Sequence, residues 1–400
     1  MNNCLDCNQR QPPHGIETGN RRPPGASILI GRASGSPGEG GAKARMAAAR
    51  KLTLAHAAAQ RPYGFVLCIV ADTTHNPLMD HFDPALISVI MPCHNAAPFV
   101  EEAVNSVLEQ SYPRVELVVV DDGSTDGSSE ILQRRAAARP DMIVQVYQTR
   151  SGPWAARNRA LAHASGNFIA FLDADDSWHP DALTRLHAAL ENDLAEVAWC
   201  GWQAIGVAAI DPEPKLPPAL EAAEAAAHSF EHGAWPLNCL LIRRPLVDAL
   251  RGFSERAPTA MDYDLWLRLL ARQPRLTNVP EVLACRRFYP RRDAAIPHWQ
   301  EVFDAVAVRR DFAQHHPEQV ARYMPDQLDD LIYGPLLREA YRCHWRNDTE
   351  SARRLFRSAL RRADWKAADL KHLIASLLPA PLYRSLVDFV TQRRSAHTEW

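Results

Sequence analysis

The 400-residue sequence predicts an α/β fold, a mostly parallel sheet covered by helices on both faces and followed by a helical C-terminal region. Four runs, LISVIM (Leu86–Met91), VELVVV (Val115–Val120), MIVQVY (Met142–Tyr147) and FIAFL (Phe168–Leu172), are β-rich and too apolar for a sheet wetted on one face. Between them, FVEEAVNSVLEQ, GSSEILQRRAAA and PWAARNRALAHA carry apolar residues at helical spacing. Two of the strands end in carboxylate clusters: Asp121 and Asp122 in VVVDDGSTDGS, and Asp173, Asp175 and Asp176 in FLDADDSW. Ligands of such sheets bind beyond the carboxyl ends of the strands.

Taken in order, residues 1–84 are rich in Gly, Pro, Ser and Arg without a sustained apolar period, and are expected to be a disordered extension with a short helix at Ala47–Ala59. Met79, just before the first strand, is an alternative start. Residues 85–292 carry the strand and helix alternation. After the second acidic cluster come a helix over Pro180–Glu191, a strand EVAWCGWQAI and a Pro-rich insertion with an Ala/Glu helix over Asp211–His232. A strand NCLLI, a short helix from Pro245 and a helix MDYDLWLRLL follow. Residues 293–400 read as helices with arginine-rich outer faces.

The net charge of −2 gives no overall electrostatic reason for a nucleic-acid partner, and none is expected. Eight cysteines are scattered; the CxxC pair Cys4 and Cys7 stands without a second pair, so reduced cysteines in the cytosol are the reading. No apolar run approaches the roughly 18 residues of a membrane span, and no signal-peptide pattern opens the sequence. The expected location is therefore cytoplasmic.

A cluster of like charges is costly unless something positive neutralises it. Mg²⁺ and Mn²⁺ prefer oxygen donors and bind commonly through one or two carboxylates, with substrate phosphates completing the shell. No GxxxxGK[ST] loop is present, so phosphate charge falls to an ion rather than to a P-loop lysine. The plain alternative for the first cluster is a capped turn, with Asp122 or Ser124 satisfying amides of the next helix.

ISVIMPCHN (Ile87–Asn95), VVVDDGSTDGS (Val118–Ser128), GPWAARNRALAHASGNFIAFLDADD (Gly152–Asp176) and MDYDLWLRL (Met261–Leu269) resemble, in this order and spacing, the family 2 inverting glycosyltransferases of GT-A fold. The resemblance covers about Leu86–Tyr289. It implies that Pro92 and His94, where the family usually has Tyr, pack on the nucleotide base, and that Asp122, with Asp121 beside it, accepts from that base. It further implies that Arg157 and Asn158 help hold the nucleotide, that Asp173 faces the ribose and metal shell, and that Asp175 ligates Mn²⁺ or Mg²⁺ directly. Asp262 corresponds to the general base, with Met261 where the family usually has Glu. Asp176 reads as a turn cap, Asp264 as a helix-dipole partner, and Trp266 and Leu267 as core.

These correspondences imply a nucleotide-diphosphate sugar donor, with UDP-sugar the leading form, and a saccharide or lipid-linked acceptor in bacterial surface-glycan assembly. Processive synthases of the broad family carry QxxRW and membrane helices; neither appears in the sequence, so transfer of one or a few sugars is expected. Walls of the sugar pocket are expected from Asp211–His232 and Asn238–Ile242. The segment LIASLLPAPLYRSLVDFVTQRR is compatible with peripheral contact on the inner face of the plasma membrane, and equally with ordinary helical packing. Two other functions compete. A nucleotidyltransferase would carry a basic glycine-rich loop where PCHNAAP stands, and a noncatalytic binding relative would have lost the base or the DxD residues.

Overall fold

Alternating side chains of the first strands already require two cores. In β1 (Asp83–Cys93) and β2 (Val115–Asp122), Ile90, Val118 and Val120 enter one apolar cluster, while Ile87, Val89, Met91, Leu117 and Val119 enter another. The computed structural model describes residues 83–207, 213–289 and 297–395, all within a unit spanning Asp72–Trp400. The expectations for the early extension, its Cys4 and Cys7 pair and Met79 lie outside the described residues.

The strand β3 (Ile143–Gln148) pairs with β2, and β4 (Gly166–Phe171) pairs with β1, all parallel. Beyond β4 the direction changes. β5 (Ser177–Trp178), β6 (Val197–Ile205), β7 (Leu240–Arg243) and β8 (Leu276–Arg287) complete an eight-stranded sheet in the order β3-β2-β1-β4-β7-β6-β8-β5. β7 runs antiparallel to β4 and β6, and β5 antiparallel to β8. The sheet is therefore mixed, parallel in its first half.

Helices α1 (Val100–Leu108), α2 (Ser128–Ala138), α3 (Pro153–His163) and α4 (Ala182–Asn192) connect the early strands. Val104 and Val107 of α1, Leu132 of α2 and Leu186 of α4 close one face; Ala156 and Ala160 of α3 close the other. On that second face lie α5 (Ala222–His232), α6 (Arg244–Leu250) and α7 (Met261–Leu270). The C-terminal helices follow: α8 (His298–His315), α9 (Pro317–Val320), α10 (Pro325–Trp345), α11 (Thr349–Arg362), α12 (Leu370–Ala375) and α13 (Ala380–Ser395). Their apolar residues Val306, Phe312, Leu336 and Phe356 belong to the same cluster as Trp266 of α7.

Two expectations change. MIVQVY was expected to be covered on both faces, but β3 is the edge strand and leaves Val144 and Tyr147 exposed. Long β8 had not been expected as a strand, because Pro280 and Glu281 interrupt its apolar pattern; it tolerates them where its register against β6 shifts around Gly201.

The amino-terminal edge of the parallel strands is fixed by one buried carboxylate. Glu116 of β2 accepts from Ser88 Oγ of β1 (2.5 Å), from the Ser165 amide (2.6 Å) and from the Gly166 amide of β4 (3.2 Å). With β1, β2 and β4 held in register there, the acidic carboxyl ends of β2 and β4 lie on either side of the end of β1.

Candidate active site

The first cluster is divided between two tasks. Asp121 closes the turn after β2 by accepting from the Ser124 amide (3.0 Å) and the Ser129 hydroxyl. The capped-turn expectation therefore fails for Asp122 and Ser124: the Ser128 amide at the start of α2 is met by Asp126 (3.0 Å). Asp122 faces the β3–α3 loop: Oδ1 accepts from Gln148 Nε2 (2.7 Å) and the Ser151 amide (2.7 Å), and Oδ2 from the Gly152 amide (2.9 Å). Gly152 adopts φ of 95°, which lets the loop turn its successive amides onto one carboxylate. His94 lies at the end of β1 with Nδ1 2.8 Å from the Asp122 carbonyl oxygen. Because a carbonyl only accepts, Nδ1 carries the proton in this arrangement. Pro92, two residues earlier, is half-buried in the same strand end.

Behind β4, carboxylate oxygens of Asp173, Asp175 and Asp176 come within 4.8 Å of one another. Asp176 is buried, and its pKa is pushed up to about 8, by burial first and then by the charges of Asp173 and Asp175. The residue expected as a turn cap is instead a tie between distant segments: Oδ1 accepts from the Arg287 amide of β8 (2.8 Å) and Oδ2 from Asn238 Nδ2 (2.9 Å). That leaves Asp173 and Asp175 as the more exposed carboxylates of the cluster. Their all-oxygen donor set fits a hard divalent cation, and mutual repulsion within the cluster would be relieved by one.

Arg157 of α3 joins this cluster to the fourth motif. Its side chain is 3% exposed, with one guanidinium nitrogen 2.6 Å from Asp173 Oδ1 and the other 3.5 Å from Asp262 Oδ1. Phe253 lies under the guanidinium, 5.4 Å from its central carbon to the ring centroid. Burial of the cation opposes its charge, but Asp173 and Asp262 outweigh that cost and hold its pKa up.

Asp262 sits in the first turn of α7, where helix amides favour a carboxylate. Oδ1 is buried without a hydrogen-bond partner, although the side chain as a whole is 43% exposed. Enclosure raises its pKa, Arg157 opposes the rise and Asp173 adds to it. One oxygen thus faces the arginine while the group keeps a solvent-facing side and an affinity for a proton above that of an ordinary carboxylate. Asp304 of α8 secures the entry to α7 by accepting from the Thr259 amide (3.0 Å) and hydroxyl (2.6 Å). Asp264 pairs with Arg268 one turn on (2.6 Å), and Trp266 and Leu267 are core, as expected.

Asn158 is differently engaged from Arg157 beside it. Its carboxamide donates to the Phe253 carbonyl (2.8 Å) and accepts from the Phe253 amide (2.8 Å), so both polar ends are given to the chain ahead of α7.

Residues that sequence reasoning had not singled out complete the rim. Tyr289 OH donates to Asp175 Oδ2 (2.9 Å), and Arg287 Nε donates to the Asp175 carbonyl (2.9 Å). Arg287 also pairs with Glu102 of α1 (2.7 Å) and covers Phe99, whose ring is 5.1 Å from Tyr289. The signal was the basic and aromatic run CRRFY at Cys285–Tyr289, unusual at the end of a strand.

The site thus consists of two acidic clusters at one edge of a mixed sheet that is parallel in its first half, with a helix N-terminus returning a carboxylate to them. Residues 88–231 match the family described as Glycosyl transferase family 2. The likeness to that family extends over this segment, about a third of the chain. The chain is 45% identical over 100 residues to TuaG of Bacillus subtilis, named as a teichuronic acid biosynthesis glycosyltransferase, covering 25% of this chain and 40% of that protein. It is 38% identical over 114 residues to the Escherichia coli glucosyltransferase WfgD, covering 28% and 44%. The chain thus spans less than half the length of these relatives. Among solved structures, residues 1–349 of S. aureus TarS with UDP-GlcNAc match with a TM-score of 0.50 at 19% identity, covering 77% of this chain and 92% of that one; this likeness concerns the fold.

Proposed function

We propose that the protein transfers a sugar, with inversion, from a nucleotide-diphosphate donor to an acceptor hydroxyl in bacterial surface-glycan synthesis. The observation that carries the reading is Arg157, which draws Asp173 of the DxD segment and Asp262 of α7 to one buried guanidinium. Metal-ligand and base candidates from segments far apart in sequence thereby meet at one side chain. The names of two relatives support the setting: TuaG is assigned to teichuronic acid, and WfgD is named as transferring glucose from UDP-Glc to a GlcNAc-diphosphoundecaprenol. A UDP-sugar donor, a saccharide or lipid-linked acceptor and a cytoplasmic location at the inner face of the plasma membrane follow from that reading.

Pro92, His94, Asp121 and Asp122 would form the nucleotide end, the last two chiefly by shaping the turn and loop around it. Asp175 and Asp173 would hold Mn²⁺ or Mg²⁺, which when bound supplies Lewis-acid neutralisation of diphosphate charge. Asp262 takes the proton of the acceptor hydroxyl as that oxygen attacks the anomeric carbon and the bond to the diphosphate breaks. Its raised pKa favours acceptance of the proton, and Arg157 keeps the carboxylate oriented between turnovers. A single attack from the face opposite the leaving group inverts the anomeric centre.

The test is release of nucleotide from a panel of UDP-, GDP- and dTDP-sugars with Mn²⁺, with and without saccharide and undecaprenyl-diphosphate-sugar acceptors. Acceptor-dependent release from one donor is expected. Transfer of a nucleotidyl group, or donor binding without turnover on any acceptor, would replace the proposal by one of its two competitors.

A further inference from the structure

Outside the acidic clusters, α8 and α11 enclose a cleft of about 430 Å³ lined by Phe303, Ser358 and five arginines, Arg353, Arg354, Arg357, Arg361 and Arg362. So many cations in one cleft repel one another unless anions intervene. Among the described residues, the carboxylate paired with them is Glu350, which meets Arg354 (2.5 Å) and Arg353 (3.6 Å). The Nε atoms of Arg353 and Arg357 are buried without hydrogen-bond partners, and the Arg353 side chain is only 12% exposed. Arg354 is also held against Trp299, 4.4 Å from the ring centroid, which stiffens one wall.

The adjoining helices supply a second feature. Arg357 donates to the Leu377 carbonyl (3.0 Å) at the end of α12, so the cleft and α12 are joined. Leu373 of α12 and Tyr383 and Val387 of α13 are buried, whereas Leu370, Ile374 and Leu377, and then Leu382, Leu386 and Phe389, remain between 39% and 57% exposed. Each exposed set falls at i, i+4 and i+7, the spacing of one helical stripe. Residues 353–389 contain eight Lys or Arg against three Asp, in a chain whose net charge is −2.

We infer that this surface docks on a membrane rich in anionic phospholipid, with the arginine cleft receiving lipid phosphate and the two stripes entering the headgroup region. Apolar stripes beside concentrated positive charge match the two terms that hold interfacial helices on acidic bilayers. Self-association through the same patch would bring two positively charged surfaces together in an isologous contact, which favours the lipid as occupant. The inference deepens the location given in the proposed function and rests on that reading for its biological purpose. Its chemistry is separate, because it needs neither donor nor cation.

Full-length protein is floated with phosphatidylcholine vesicles lacking or containing phosphatidylglycerol, without nucleotide or metal, across a salt series. Binding that requires phosphatidylglycerol and weakens with salt is expected. R354Q/R357Q/R361Q should lower partitioning about a hundredfold, as expected for three basic groups near an acidic surface. I374S/L382S/L386S should lower it at every salt concentration while raising solubility. Melting curves report whether each variant is folded, and the wild-type lipid and salt dependence decides the matter if a variant is not. Equal wild-type binding to both vesicles, or no binding to either, overturns the inference. So does unchanged binding by the folded arginine variant, or a stripe variant that loses only a dimer seen by light scattering. Loss of vesicle binding with donor turnover intact, or the converse, separates this inference from the transfer chemistry.

Discussion

Asp262 has one oxygen directed at Arg157 and a carboxyl whose pKa is raised by enclosure, the two features on which its proposed role as base rests. Asp262→Asn should leave melting temperature and donor affinity nearly unchanged while turnover falls by roughly 10²-fold or more, the usual scale for a positioned base. Near-normal turnover in steady-state assays with saturating donor would move the search for the base to Asp264. Asp175→Asn should keep the Tyr289 contact geometrically feasible yet lose the charge that attracts a divalent ion. Calorimetry of nucleotide with and without Mn²⁺ should then show a collapse of the metal-dependent gain; an intact gain excludes Asp175 as a ligand. These acidic residues were legible because carboxylates clustered behind apolar strands stand out in the sequence, although Asp121 and Asp176 proved to have structural partners. Arg287 and Tyr289 were not, since what they do depends on pairing with segments more than a hundred residues away.

Between elements, the two hydrogen bonds from Asn158 to the Phe253 backbone tie α3 to the chain that leads into α7. Gly252, at φ of 69°, lies so close that a Cβ there would press on the Asn158 carboxamide oxygen. Asn158→Leu should therefore lower stability by about 2–4 kcal/mol, the cost of two stranded backbone groups, with nucleotide affinity of the remaining folded protein little changed. Urea denaturation and titration on the same sample check both parts, and a selective loss of nucleotide affinity would restore Asn158 to the nucleotide end. Sequence pattern located most of the parallel strands and helices because their apolar periods are strong. It missed β8 because Pro280 and Glu281 break the pattern, and it overstated the burial of β3 because periodicity does not reveal which strand is at the edge.

At the scale of the molecule, the C-terminal helices share an apolar cluster with α7 and reach its entry through Asp304. Arg309 adds a bond to the Phe230 carbonyl (3.0 Å) at the end of α5. A chain ending at Tyr289 should thus expose Trp266 and Phe230 neighbours, lose several kcal/mol as expected for uncovering a few large apolar groups, and aggregate. Soluble yield and thermal melting test this; a shortened chain as stable as the full one would show that the helices are dispensable to the catalytic half. The tie from Asp176 to Asn238 and Arg287 spans 62 and 111 positions of sequence. During synthesis, the acidic segment after β4 leaves the ribosome long before either partner exists. Until β8 is made, the bonds from Arg287 and Tyr289 to Asp175 and Asp176 cannot form. On the proposed function, capacity to hold a donor should therefore appear late, after translation passes Tyr289, and ribosome-stalled chains of increasing length should gain nucleotide binding in one step beyond that point rather than gradually from β4 onward.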